Sequence, residues 1–304
     1  MKNMRIPLCI ALGVAIIGII FGSFLDLQIS TAIASSSNGF GLLVSAIGPT
    51  IGFAAVAAMG GGFVAFIVKG KYHIVLKLLF GALAVACFGV AIYYPGREYF
   101  GINGFYGAAP EWLGYLIIFI PEVGATVGGF FLFKDCKNKN MWIVFCIIIA
   151  VLLTALLLVI PTLKDKIVHR PRYRLLAITD AVEFHNWWEP CKEYKELIES
   201  IPTGKDNFKS YPSGHTAEVS ILFVAVTFLP LADEKFKKYQ MPLFYGACGL
   251  VLLVAFARIL AAAHFLSDVS TGAAIMLVLL IIANEIVMRV KPLQIEEQPK
   301  EEEE

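Results

Sequence analysis

Hydrophobic residues in this chain run in eight long blocks, roughly 6–25, 43–68, 74–94, 112–133, 141–163, 216–231, 242–263 and 269–288, with the charged residues gathered between them. A helix needs about 20 mostly apolar residues to cross a bilayer. The pattern therefore predicts an all-α fold, a polytopic membrane helix bundle of about eight transmembrane helices. The first block is longer than the apolar core of a signal peptide, so despite "AIA" at 32–34 it reads as a retained anchor. Glycine and alanine in "MGGGFVAF" (59–66) predict close helix packing. Residues 1–291 read as one integral membrane domain, and the acidic 292–304 as a disordered tail.

Lysine and arginine in short loops set the orientation. With the N-terminus inside, the inner segments hold Lys2 and Arg5, Lys69 and Lys71, Lys134, Lys137 and Lys139, Lys235, Lys237 and Lys238, and Arg289 and Lys291. Among the short outer loops only Arg97 is basic, and the one strongly basic outer segment is the long loop 164–212. This predicts a multi-pass protein of the cell membrane with both termini cytoplasmic. Composition agrees: 58% of the 304 residues are hydrophobic, 16% are charged, the net charge is +1, and the mean hydropathy is +0.73. A nucleic-acid partner would call for a basic excess, which is missing. The six cysteines show neither metal-ligand spacing nor a disulfide framework.

With eight spans, three unusual polar clusters reach the outer boundary together. The first is "LKDKIVHRPRYR" (163–174), which crowds Lys164, Lys166, Arg170, Arg172 and Arg174. Guanidinium forks match phosphate oxygens; a patch contacting lipid headgroups explains the same charge. The second is "YPSGHT" (211–216). Pro212 stops a preceding helix, Ser213 is a good N-cap, and the N–H groups of Gly214, His215 and Thr216 would then face outward as an anion site, with His215 beside it as proton donor. An ordinary cap with an interfacial histidine is the bland alternative. The third is "ARILAAAHFLSDVSTG" (257–272), where Asp268 follows His264 by four residues and Arg258 precedes it by six. A carboxylate on one imidazole nitrogen fixes the tautomer and raises basicity at the other. Such a set at a membrane boundary is costly without a role, although a snorkelling arginine plus a loop salt bridge would also account for it. Together the clusters describe phosphoryl transfer with fixed cations stabilising the charge.

At these residues the chain resembles the type 2 phosphatidic acid phosphatase superfamily, which includes lipid phosphate phosphatases, undecaprenyl diphosphate phosphatases, glucose-6-phosphatase and vanadium haloperoxidases. Pro212–His215 match its PSGH motif, and Ala257, Arg258, His264 and Asp268 match (S/A)R-x5-H-x3-D. The first motif, K-x6-RP, is imperfect. Lys164 lies six residues before Arg170 rather than seven, and the residue seven before Arg172 is Asp165. The favoured assignment is Lys164 with Arg172, Arg170 assisting, and Lys166 as the alternative lysine. The resemblance implies a six-helix core with two further helices upstream, and the orientation read from the loops then puts the active site outside.

The resemblance further implies that His264 attacks phosphorus to form a phosphohistidine. Asp268 would orient it, and His215 would protonate the leaving oxygen and then activate water. Lys164, Arg170, Arg172, Ser213, Gly214 and Arg258 would hold the phosphoryl oxygens. No metal or other cofactor is implied. The expected substrate is a lipid phosphate or diphosphate such as undecaprenyl diphosphate or phosphatidate, with membrane lipids as surroundings. The loop tryptophans in "EFHNWW" (183–188) would steady the lipid end or anchor the loop. A phosphotransferase passing the phosphoryl group to a lipid or sugar hydroxyl is the rival within the enzyme class. A membrane transporter is the rival outside it, suited by Glu122 in the fourth block and by the glycine-rich helices. Glu122 is either a functional acid or the neighbour of a kink or re-entrant turn at Pro121. Glu218, one turn from His215, is a candidate to tune it, and Glu285 with Arg289 is expected as an i,i+4 pair.

Overall fold

The computed structural model describes residues 4–101, 110–201 and 204–289; the acidic tail lies outside them. Eight helical stretches are long and apolar enough to span a membrane, as the hydrophobic blocks predict, and no strand occurs among the described residues. Helices α1 (Arg5–Ile33), α2 (Gly39–Lys69), α3 (Ile74–Phe100) and α4 (Glu111–Phe133) form the N-terminal half. The fifth span begins as α5 (Met141–Leu153) and runs on through π-helical turns at Thr154–Val159 and Leu163–Val168. The sixth is built from α6 (Gly214–Val219) and α7 (Ile221–Phe228), the seventh is α8 (Gln240–Leu260) and the eighth α9 (Leu266–Arg289).

Helix α2 is the central post. It is buried along most of its length and packs on α3, α4 and α8, and its glycines permit the close approach that their spacing predicts. A Cβ on Gly61 would lie 1.8 Å from the Thr126 carbonyl oxygen of α4. Around its C-terminal half, Phe63, Phe66, Phe80, Phe133 and Phe145 interlock, many of the pairs edge to face. The outer sides of α1, α3 and α4 expose Ile10, Ile17, Phe24, Leu78, Val85, Phe119 and Ile120, the dress of helices solvated by hydrocarbon.

Three details differ from the sequence reading. Helix α4 continues without a break through Pro121, so there is no re-entrant turn, and Glu122 is buried with neither carboxylate oxygen hydrogen-bonded. Glu285 pairs with Arg5 of α1 rather than with Arg289 one turn away, because α1 lies along α9 and brings Arg5 onto it. That ion pair places the start of α1 and the end of α9 at one end of the bundle. Finally, α1 and α3 extend well past the expected ends at 25 and 94, reaching Ile33 and Phe100. Those extra turns carry polar residues to the opposite end of the bundle.

Candidate active site

A cavity of about 450 Å³ opens at that opposite end. Its polar lining includes Glu98 and Arg97 of α3, Lys164 of the π-helical turn, Arg172, Gly214, His215 and Glu218 of α6, Arg258 of α8, and His264, together with Lys209, which is paired with Asp165 and Asp206. Leu156, Leu157, Ile160 and Pro161, one to two turns before Lys164, make one wall apolar.

Backbone geometry sets each group in place. The π-helical turn Leu163–Val168 ends at His169, whose left-handed φ of 49° reverses the chain. Between Lys164 and Arg172 the sequence has one residue more than the K-x6-R pattern. A π-turn closes i→i+5 bonds and so absorbs one extra residue, which accounts for the slipped register. Lys164 faces the cavity and Lys166 is exposed away from it. Arg172 is anchored by Nε donating to the Asp206 carbonyl (2.8 Å) and Nη1 to the Ala263 carbonyl (3.0 Å).

Helix α6 begins as its sequence predicts, with the Ser213 hydroxyl accepting from the Thr216 amide (3.4 Å). The Thr216 N–H is therefore taken, and only the Gly214 and His215 amides keep the free first-turn donors of a helix start. Ser213 is fully buried and does not line the cavity; its own amide donates to the Asp268 carbonyl (2.9 Å). Gly272 of α9 makes this packing possible, since a Cβ there would sit 2.3 Å from the Ser213 carbonyl oxygen.

Helix α8 is closed by Ala262 in the left-handed region (φ 54°), and the Ala263 and His264 amides both return to the Arg258 carbonyl (3.2 Å each). Arg258 and His264 thus enter the cavity from one turn. His264 precedes α9, so it and Asp268 do not share a helix face. The Asp268 carboxylate is 3.8 Å from His264 Nδ1, whereas the Ser210 carbonyl oxygen is 2.6 Å from it. Asp268 instead accepts from the Ser210 hydroxyl and the Phe265 amide (2.8 Å). It holds the segment that holds the histidine.

Arg170 departs most from expectation. It does not line the cavity and is completely buried behind it. Its Nη1 contacts Asp268 (2.7 Å) and its Nη2 contacts Asp26 of α1 (2.9 Å), while Nε donates to the His185 carbonyl (2.8 Å). Phe265 lies under the guanidinium at 4.2 Å. With its fork spent on two carboxylates, it braces the site rather than contacting a ligand. Trp187 likewise turns inward, donating to Ser23 and stacking on Tyr211, while Trp188 stays exposed.

Two cations stand apart. Arg258 is 2% exposed and Lys164 lines the same cavity, yet neither makes a hydrogen bond or ion pair among the described residues. Burial first, and then the charges of Arg172, Arg258 and Lys164, push the His264 imidazole well below its ordinary range, so it is neutral near pH 7. Among the described residues no group of three or more His, Cys, Asp or Glu is disposed to hold a metal ion. Sequence reasoning missed Glu98, Asp26 and Ser210. Their only signal was a charge at the edge of an apolar block (Asp26, Glu98) or the residue before Tyr-Pro (Ser210).

In the comparison with known families, the model described as the PAP2 superfamily matches residues 139–292, just over half of the chain. It covers the last four spans and all three sequence clusters; α1 to α4 lie outside it. No curated protein and no solved structure matches the chain.

Proposed function

The chain belongs to the PAP2 superfamily, and on that premise we propose that it is a phosphatase hydrolysing a lipid phosphate or diphosphate through a phosphohistidine, at the extracytoplasmic face of the cell membrane. Membership carries phosphatase or phosphotransferase chemistry in a multi-pass membrane protein. The observation that supports the specific reading is the pair of unpartnered cations, Arg258 and Lys164, facing a neutral histidine. A buried charge without a partner is expensive. A phosphoryl group would satisfy both cations together with Arg172 and the first amides of α6.

In the first step the His264 lone pair forms the N–P bond, the P–O bond to the leaving group breaks, and that oxygen takes a proton from His215. In the second, water attacks phosphorus while giving a proton back to His215, and the N–P bond breaks with its electron pair returning to His264. The fixed cations stabilise the charge on the equatorial oxygens, the part a metal ion plays elsewhere. The Ser210 carbonyl accepts from Nδ1–H, leaving the other ring nitrogen free to attack. Asp268 and Arg170 act behind it.

The apolar wall along the fifth span favours a lipid: Leu156, Leu157, Ile160 and Pro161 line the cavity beside its cations, and Leu157 is also exposed on the outside of the span. The basic segments at 69–71, 134–139 and 235–238 crowd the end away from the cavity, which favours an outward site. The experiment is phosphate release from undecaprenyl diphosphate, phosphatidate and phosphatidylglycerol phosphate in detergent, with and without vanadate. His264→Ala is expected to abolish release and any acid-labile phosphoenzyme. Near wild-type turnover in that variant refutes the reading.

A further inference from the structure

We infer that Glu98, on a helix outside the family-matched segment, is the positioning residue that biases His215 toward the protonated form its role as general acid requires; this rests on the two-histidine mechanism above. The Glu98 carboxylate spans two partners. Oε1 accepts from Arg97 Nη2 (2.7 Å) and Nε (3.2 Å), and Oε2 lies 3.3 Å from His215 Nε2. Both Glu98 and His215 are largely shielded from solvent, with side-chain exposures of 11% and 8%.

The need for such a partner follows from what else faces His215. Lys164 from the fifth span, Arg172 from the loop after it and Arg258 from α8 are all cationic and line the same cavity. Three cations oppose the imidazolium form, yet protonating a leaving oxygen requires it. His264 is the neutral neighbour. Glu218, on the histidine's own helix, lines the cavity without contacting the ring. Among the described residues Glu98 is the carboxylate that reaches an imidazole nitrogen of His215. Arg97 fixes it from the other side and stacks over Tyr94 at 5.3 Å. The carboxylate takes no proton in the cycle: the proton moves from His215 to the leaving oxygen and returns from water, while Glu98 remains ionised and biases the ring toward its charged state.

Arg97 thereby loses its oddity as the basic residue of the short outer loops. It belongs to the site, as the second contact that holds Glu98 against the histidine.

The experiment uses the full chain in detergent and compares wild type, Glu98→Gln and Glu98→Asp. The glutamine has the shape of the native side chain without its charge. The high-pH limb of the kcat/KM profile is expected to move down by about 1–3 pH units in Glu98→Gln, the range set by one opposite charge at this distance. Glu98→Asp should restore part of it. The second readout needs no turnover: the His215 ring resonance, followed by NMR with labelled histidine, should show its titration midpoint falling by the same amount. Unchanged midpoints in both glutamine and aspartate variants overturn the inference. If the wild-type protein releases no phosphate from any substrate, the proposed function fails, and the NMR titration still decides the role of Glu98.

Discussion

Replacing Arg258 by methionine should make the protein more stable and nearly inactive. The guanidinium is 2% exposed, its Nε has no hydrogen-bond partner, and Glu98 and Glu218 act on it only from beyond ion-pair distance. An apolar side chain of similar volume in place of buried ionic groups is typically neutral or stabilising, by about 1–4 kcal/mol. Arg258 lacks a partner to offset its desolvation, so the gain should not fall at the neutral end. At about 2–4 °C per kcal/mol for a domain of this size, the melting temperature in detergent should rise by a few degrees. Catalysis should move the other way. Removing one preorganised donor to a developing oxyanion costs about 10²–10³ in rate, or about 2.7–4 kcal/mol, and Arg258 supplies a charged fork. Differential scanning fluorimetry reads the first effect; phosphate release and vanadate inhibition read the second. A variant that melts below wild type, or that binds vanadate as tightly, would show that Arg258 is a structural residue and that the unpartnered-cation argument is wrong.

Arg170→Gln should do the reverse of Arg258→Met. It strands Asp26 and Asp268 as buried charges, and breaking such a pair costs about 3–5 kcal/mol, read as a large loss of melting temperature. Two glycines separate space for a ligand from space for a helix. Gly214→Ala meets only Lys164 Nζ at 3.7 Å and Glu218 Oε1 at 3.8 Å, so it should keep wild-type stability while weakening vanadate inhibition. Gly272→Ala drives a Cβ onto the Ser213 backbone and should lower both melting temperature and activity. His264 is held below its ordinary value, so the unfolded chain takes up the extra proton as pH falls. Its contribution to stability should be complete above about pH 6.5 and decline below that value. A chemical-denaturation series from pH 8 to 5 should therefore slope less in His264→Gln than in wild type.

The two motifs that carry the chemistry were legible because each lies at one helix end, where a few contiguous residues fix both the cap and the side chains. Ser213 to His215 and Arg258 to His264 are of this kind. The brace behind them was not legible. Asp26 reaches Ser267 and Arg170 across 241 and 144 positions, and no local pattern announces such a contact. The same charges hid themselves. The apolar blocks stop at 25 and 94, before Asp26 and before Pro95, Gly96, Arg97 and Glu98, although the helices continue to Ile33 and Phe100. A polar residue at a span's edge read as loop when it was the part of the helix that turns inward to the site. Asp268 does more than its spacing to His264 suggests: it lies 3.8 Å from the ring, and the break between α8 and α9 gives its oxygens Ser210 and Arg170 as hydrogen-bond partners.

Helix α1 is clasped to α9 at both ends, by Arg5–Glu285 and by Asp26–Ser267, with Gly22 admitting the Ser267 backbone between them. Of the eight spans these are the first and the last to leave the ribosome. The brace on Arg170 and Asp268 therefore cannot close until the final span has been inserted, whatever the intervening helices have already assembled. Contacts of such wide sequence separation form late. A growing chain would hold Lys164, Arg172 and His215 well before it could use them, and the site would be completed only once the eighth span is in place.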